Sequence, residues 1–240
     1  MSRRNLSLAS REENVREPNP VAPAPLHFTL TEIKQHFDDN MTELESQFVL
    51  ADSLASNDDL PGCKAIWRSQ IVFAEGLMDF YIHEVSKYRL YRMFTGLSEK
   101  TEKYSAIQIP LSQIESAFSL EERGEWFFEF INKHLCRDVY LAADVMRDQL
   151  NLIGIPFADV MCKAFPIDEK RDNIIKIGRK TISDMFARRN AIAHQNDRSH
   201  ATATQNDISK EYVVEYINNV KSIVNAIHAL ALERDTEQAS

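Results

Sequence analysis

The chain has 240 residues, of which 44% are hydrophobic and 27% charged, and its formal net charge is −8. This composition excludes disorder throughout, and the negative total argues against a protein whose whole surface coats nucleic acid or an anionic membrane. Glycine is scarce, and half of the prolines lie between residues 18 and 25, so we expect an all-α fold. The cysteines, Cys63, Cys136 and Cys162, are widely spaced, which indicates no disulfide framework or zinc site and favours a reducing cytoplasm.

The N-terminal region divides into a tail and a helix. Residues 1–26 are charged and then proline-rich, so we expect a disordered tail that buries too little apolar surface to offset its ordering entropy. An N-terminal amphipathic helix is predicted within residues 27–58, over about 29–52, because Thr29 and Glu32 form a capping-box pair and apolar residues then recur at steps of three and four. With fewer than four heptads, this helix is expected to cover the core rather than to form a dedicated coiled-coil surface.

A long helix follows, opened by the cap at Asn57 to Asp59 with Pro61 in its first turn, and ended before Gly96. Its side chains are apolar nearly all round, which is typical of a central, buried helix.

The rest of the chain predicts further helices and no strand. They are expected at 110–118, at 120–134 with a cap at Ser119, at 136–152, in a short stretch from Pro156, from Pro166 to about Asn190, and from a cap at Thr204 to Asp207 onward. No run of 18 apolar residues occurs, so no membrane span is expected. We therefore predict an up-and-down helical bundle over residues 59–235, with a tail at 236–240.

Residues 176–198 stand out because they combine positive charge with a spaced arginine and histidine. The segment holds six basic and two acidic side chains, a net charge of +4 within a chain of −8. Concentrated positive charge of this kind favours phosphate binding. Arg189 and His194 are separated by four residues, Asn190 follows the arginine directly, and none of the other histidines has an arginine at a comparable spacing.

The chemistry of these residue types points to RNA. A histidine, with an ordinary pKa of about 6.5, can take a proton from a ribose 2′-hydroxyl and return one to a leaving oxygen. An arginine can bind the scissile phosphate and stabilise its growing negative charge, so no metal or other cofactor is expected. On a regular helix Asn190 and His194 share a face, but Arg189 lies about 140° from His194. Both charges reach one phosphate only if the helix breaks after Asn190 or a second copy contributes.

The string from Arg189 to His194 resembles the motif of the HEPN superfamily: an arginine, a polar residue, and a histidine four to six positions later. The apolar helix before it and the amphipathic helix after it resemble the RiboL-PSP-HEPN branch over about residues 60–235, with the 29–52 helix outside. The resemblance implies a homodimeric, metal-independent endoribonuclease, often of a toxin–antitoxin or antiviral system. Expected partners are RNA, a second copy and an antitoxin or defence protein. Arg189 would bind phosphate, His194 would be the acid and base, and Asn190 would help to hold them.

Four other residues are candidates for supporting or substrate-binding roles. Glu75 and Asp79, one turn apart on the long helix, either include a carboxylate buried against Arg189 or form one solvated face. Arg188 is a candidate phosphate contact, although simple exposure is favoured, and Arg198 is a second candidate.

Alternatives remain open for both the metal and the function. The spacing of His194, Asp197 and His200 is poor for a metal site, and none is predicted. Besides a ribonuclease, the sequence is compatible with a non-catalytic module that docks a partner protein, and with a regulator that binds nucleotides at the same arginine.

Overall fold

The computed structural model describes residues 27–118, 125–135 and 138–237. Within those ranges the chain forms nine helices and no strand, apart from one isolated bridge between Arg198 and Gln205. The helices are α1 (Leu30–Ser56), α2 (Leu60–Phe94), α3 (Glu102–Ser105), α4 (Leu111–Phe118), α5 (Glu125–Leu135), α6 (Ala143–Leu152), α7 (Phe157–Ala164), α8 (Arg171–Gln195) and α9 (Lys210–Glu237). The all-α prediction is confirmed. The predicted 1–26 tail and the Ser119 cap lie outside the described residues.

The two N-terminal helices begin where the sequence predicts. The Thr29 side chain accepts a hydrogen bond from the Glu32 backbone N–H at 3.2 Å, and Glu32 Oε2 accepts from the Thr29 N–H at 2.8 Å, which completes a capping box. Asp59 Oδ1 accepts from the Gly62 N–H at 2.9 Å at the start of α2. Gly96, with φ of 79°, follows the end of α2 in the left-handed conformation that glycine tolerates.

Three later boundaries differ from the prediction. The helix expected from residue 136 begins at Ala143, because residues 138–142 run as an irregular segment in which the Tyr140 N–H donates to Asp79 Oδ1 at 2.7 Å. The final helix begins at Lys210, where Ser209 Oγ accepts a hydrogen bond from the Tyr212 N–H at 3.2 Å, and the carboxylate of the predicted cap residue Asp207 pairs with Lys64 on another helix. The third boundary is that of α8, the helix that carries Arg189 and His194.

Helix α8 begins at Arg171 rather than Pro166, and it continues five residues beyond Asn190 to Gln195. The predicted end of the helix at Asn190 is therefore wrong, and the helix does not break after that residue. The short helix α3, capped by Thr101, was not predicted.

Helix α2 is the centre of the bundle and packs against α1, α5, α8 and α9. The apolar stripe of α1 is buried on α2 and belongs to the same core as the other helices, which confirms that α1 covers the core. α2 also buries charged and polar side chains, including Arg68, Glu75 and Arg89. Because α8 and α9 both lie on α2, the polar groups of α2 meet residues that are far away in the sequence. In the described part of the chain, no helix has the length and apolarity needed to cross a bilayer.

Candidate functional site

Arg189, Asn190 and His194 all lie on the last two turns of α8. The helix is unbroken between them, and it ends at Gln195, where Asn196 adopts a left-handed conformation with φ of 49°. A step of five positions along a regular helix places the histidine about 140° around the axis and roughly 7.5 Å along it from the arginine. One copy of α8 therefore presents these two side chains in different directions.

His194 is exposed, whereas Arg189 is partly buried. The Asn190 side-chain oxygen accepts a hydrogen bond from Arg189 Nη1 at 3.0 Å. The motif predicts that Asn190 helps to hold both the arginine and the histidine, but the side-chain oxygen of Asn190 is engaged by the arginine. Within the described ranges, the His194 ring has no hydrogen-bond partner.

Glu75 of α2 is an acidic group whose pKa is lowered by the charge of Arg189. Its side chain is 1% exposed, and burial raises its pKa from 4.5 to about 7, against the hydrogen bond from Tyr216 and the positive charge of Arg189, which lower it. Arg189 Nε and Glu75 Oε2 are both buried, and neither has a hydrogen-bond partner among the residues that the structure describes. The sequence left two interpretations of Glu75 open, a carboxylate buried against Arg189 or part of a solvated face. The structure shows a buried carboxylate.

Asp79 has a different role, although it is one turn from Glu75. Its carboxylate accepts a hydrogen bond from the Tyr140 N–H and lies 3.7 Å from His83 Nε2. It therefore holds the segment before α6 against α2. Its effect on the candidate site is electrostatic, because its negative charge raises the pKa of Glu75.

Asp197, just beyond α8, is a buried residue whose importance the sequence did not reveal. Its carboxylate is 0% exposed and accepts three hydrogen bonds, from Arg188 Nη2 (2.9 Å), Arg68 Nε (2.8 Å) and Asn206 Nδ2 (3.0 Å). Arg188 Nη1 adds an ion-pair contact at 2.6 Å. With these four polar contacts on its two oxygens, the carboxylate ties α2, α8 and the loop before α9 together.

The Asp197 cluster decides the role of Arg188. Besides its two bonds to Asp197, the guanidinium donates to the Asp207 carbonyl at 2.9 Å and lies 5.8 Å above the Tyr212 ring. Arg188 is therefore paired within the fold and is not a simply exposed charge. Its use as a phosphate contact stays a prediction. Arg68, 129 residues before Asp197, had no local signal that linked it to this cluster.

The loop that follows α8 has unusual backbone geometry. Asn196, Asp197 and Ala203 have φ values of 49°, 58° and 55°, a left-handed region that costs a residue other than glycine about 1 kcal/mol or more. The Asp197 ion pairs offset this cost. Because His194 lies three residues before Asp197, the same ion pairs fix the end of α8 that carries the histidine.

Half of the basic side chains of residues 176–198 are paired with acidic groups in the folded chain. Arg179 pairs with Asp144, Lys180 with Asp184 and Arg188 with Asp197. Arg198 is exposed and donates to the Ala203 carbonyl at 2.7 Å. The basic segment is thus not a continuous patch, and Arg189 with Arg198 carries most of what remains near His194.

An open groove of about 590 Å³ runs between the start of α2 and the end of α8. Ala193 and Asn196, on either side of His194 in sequence, line one wall, and Phe73 of α2, 60% exposed, lines the other. Phe80, two turns further along α2, is also 50% exposed. Among the residues described, no three His, Cys, Asp or Glu side chains are grouped so that they could hold a metal ion.

Comparison with known proteins adds one match. The sequence model of the RiboL-PSP-HEPN family matches residues 31–233. The match includes α1, so it extends further toward the N-terminus than the resemblance over residues 60–235 seen from the motif. No curated protein and no solved structure gives a significant match to the chain.

Proposed function

We propose, because the chain belongs to the RiboL-PSP-HEPN family, that it is a metal-independent endoribonuclease whose active site contains Arg189 and His194. Membership of this family indicates a nuclease or RNA-related function. The observation that carries the finer proposal is the contrast at the end of α8, where an exposed histidine accompanies an arginine whose charge acts on a buried carboxylate. A free imidazole and a held guanidinium are what acid–base catalysis and phosphate binding require.

The reaction that fits these two side chains is attack by the neighbouring 2′-hydroxyl. The His194 imidazole accepts the proton of the 2′-hydroxyl, whose oxygen forms a bond to phosphorus. Arg189 stabilises the negative charge on the phosphate oxygens as the bond to the 5′-oxygen breaks. The leaving oxygen takes a proton from an imidazolium, so the products are a 2′,3′-cyclic phosphate and a 5′-hydroxyl.

A homodimer is part of the proposal because one copy of α8 separates Arg189 from His194. A two-fold axis beside the end of α8 would bring the arginine of one protomer toward the histidine of its partner. The exposed rings of Phe73 and Phe80, with Gly76 between them on the same helix, offer an apolar surface for this contact. Arg198, exposed on the adjoining loop, is a candidate for binding a further phosphate.

The biological setting belongs to the same proposal. A toxin–antitoxin or antiviral system in the cytoplasm would supply RNA as the substrate and an antitoxin or defence protein as the regulator.

The test compares purified wild type with His194→Ala and Arg189→Ala on a labelled RNA oligonucleotide in excess chelator. Each substitution is expected to reduce the cleavage rate by roughly 10²–10⁴-fold, the usual contribution of a general acid–base or charge-stabilising group. His200→Ala is the matched control, since His200 is another exposed histidine six residues away, and full activity is expected. Activity retained by the two site variants, or cleavage of a strand with 2′-deoxyribose at the cut site, would contradict the proposal.

Mixing the two inactive variants tests the shared site. A mixed dimer of His194→Ala and Arg189→Ala contains one cleft with both groups intact, so partial activity is expected to return after subunit exchange. If exchange is demonstrated by cross-linking and activity stays absent, a site built from one arginine and one histidine of opposite protomers is wrong.

A further inference from the structure

Three buried groups from three helices meet at the base of Arg189. Glu75 of α2 and Tyr216 of α9 are 1% and 2% exposed. Tyr216 Oη lies 2.6 Å from Glu75 Oε1 and 3.0 Å from the carbonyl oxygen of Met185. Met185 is one helical turn before Arg189 on α8, so the tyrosine joins Glu75 to the turn of helix that carries the arginine.

Counting protons at Tyr216 constrains the state of Glu75. The phenol has one proton to donate, and both of its oxygen neighbours are within hydrogen-bond distance. The Met185 carbonyl can only accept. Both contacts are hydrogen bonds at the same time only when Glu75 is protonated and donates to Tyr216 Oη, while Oη donates to Met185. A deprotonated Glu75 takes the phenol proton for itself and leaves the carbonyl without it.

We propose that Glu75 and Tyr216 are positioning residues for Arg189, and that Glu75 carries a proton, donated to Tyr216 Oη, in the state that binds a phosphate of the RNA. This inference rests on the proposed function for the identity of the ligand. The protonated form keeps the bridge from α2 to α8 complete and leaves the charge of Arg189 for the phosphate. The ionised form places a buried negative charge near the same guanidinium, which competes with the phosphate.

The charged and titratable groups around Glu75 support this assignment. Arg189 faces it from α8, Tyr216 from α9 and Asp79 from its own helix. Burial is the largest influence and raises the Glu75 pKa, Asp79 raises it slightly, and Tyr216 and Arg189 lower it, so that the net pKa is about 7. A phosphate that neutralises Arg189 would remove one of the two lowering influences. Binding of phosphate and protonation of Glu75 therefore favour each other, and proton uptake accompanies binding.

The decisive measurement is the pH dependence of binding, made without cleavage. The ligand is a labelled 2′-O-methyl RNA, which cannot react, and all proteins carry His194→Ala so that the imidazole does not contribute. Affinity is expected to fall about fivefold from about pH 6 to about pH 8, the effect of linking one proton whose pKa rises by roughly one unit on binding. Glu75→Gln, whose amide donates to Tyr216 at any pH, is expected to keep the tight binding throughout.

Two further variants separate positioning from folding. Glu84→Gln removes a different buried carboxylate of α2, one paired with Lys87, and is expected to leave the pH dependence unchanged. Tyr216→Phe keeps the ring but removes the bridge, and is expected to weaken binding several-fold while the melting curve still shows a folded protein. Loss of the pH dependence in Glu84→Gln, or its persistence in Glu75→Gln, overturns the proposal.

An infrared difference spectrum separates this inference from the proposed function. Near pH 6, wild type minus Glu75→Gln is expected to contain the carbonyl band of a protonated carboxylic acid, whether or not the protein binds or cleaves RNA. Absence of that band overturns the assignment of the proton to Glu75. If the band is present but no RNA binds, the proposed ligand of Arg189 fails instead.

Discussion

Replacing Asp197 by alanine is the most informative test of how the end of α8 is held. The carboxylate is fully buried, accepts one hydrogen bond each from Arg188, Arg68 and Asn206, and has a second ion-pair contact with Arg188. The substitution leaves two largely buried guanidinium groups facing each other across a vacant position. It also removes the interaction that compensates the left-handed backbone at residues 196–197.

The expected magnitude follows from the burial of all three charges. The side chains of Arg68 and Arg188 are 8% and 17% exposed. Removing one partner of a buried ion pair typically costs about 3–5 kcal/mol, because the remaining charge has lost water and gained no replacement. With a urea m-value of roughly 2–3 kcal/mol/M, this corresponds to a midpoint lowered by about 1–2.5 M.

Urea unfolding followed by circular dichroism measures this loss. Asp184→Asn is the matched control, since Asp184 is an exposed acid of α8 paired with Lys180 one turn away, and its removal is expected to leave the midpoint unchanged. Adding Arg188→Ala to Asp197→Ala removes one of the two uncompensated charges, so the double variant is expected to cost less than the sum of the single ones.

A midpoint for Asp197→Ala that matches the Asp184→Asn control would refute the reasoning. It would mean that the two arginines find water or other partners at no cost, and that the ion pairs do not hold the loop. Strict additivity in the double variant would likewise show that Arg188 and Asp197 do not act on each other.

Two other expectations concern the core. Glu75→Gln should change how the free energy of unfolding depends on pH. The native Glu75 pKa of about 7 lies above its ordinary value of 4.5, so between these two pH values the folded state binds a proton that the unfolded state has lost. Wild type therefore loses up to about 1.4 kcal/mol of stability per pH unit as the pH rises from 4.5 to about 7. Unfolding curves of Glu75→Gln should not show that loss of stability. If the stabilities of the variant and of wild type change in parallel with pH, this expectation is wrong. Phe37→Ala should destabilise by about 3–5 kcal/mol, because Phe37 of α1 is buried against Tyr81, whereas exposed Val49→Ala on the same helix should be neutral in thermal melts.

The fold was predictable from sequence where local chemistry is decisive. The capping pair at Thr29 and the Asp59 cap with Pro61 define helix starts through contacts within a few residues, and both are present. The predicted helix boundaries are wrong where a residue from another helix contacts the side chain or backbone that was expected to form the boundary. Asp207 has the sequence of a cap, but its carboxylate pairs with Lys64, and the irregular segment at Tyr140 is held by Asp79 on another helix.

The candidate site was predictable in its motif and not in its surroundings. The spacing of Arg189 and His194 is a local property, and the family match over residues 31–233 agrees with it. The partners of the motif come from other helices: Glu75 and Tyr216 are separated by 141 residues, and Arg68 and Asp197 by 129. No pattern along the chain connects such pairs, because only packing brings them within hydrogen-bond distance.

The sequence by itself determined the helical class, the first two helices and the position of the motif, since each depends on periodicity, caps or spacing over a few residues. The tertiary structure alone decided which charges are free. Among the basic side chains of residues 176–198, burial and pairing commit Arg188 to Asp197 and Arg179 to Asp144, while His194 remains exposed. The physical reason is that the state of a charge depends on the water it loses and the partner it gains, and both are set by neighbours from other helices.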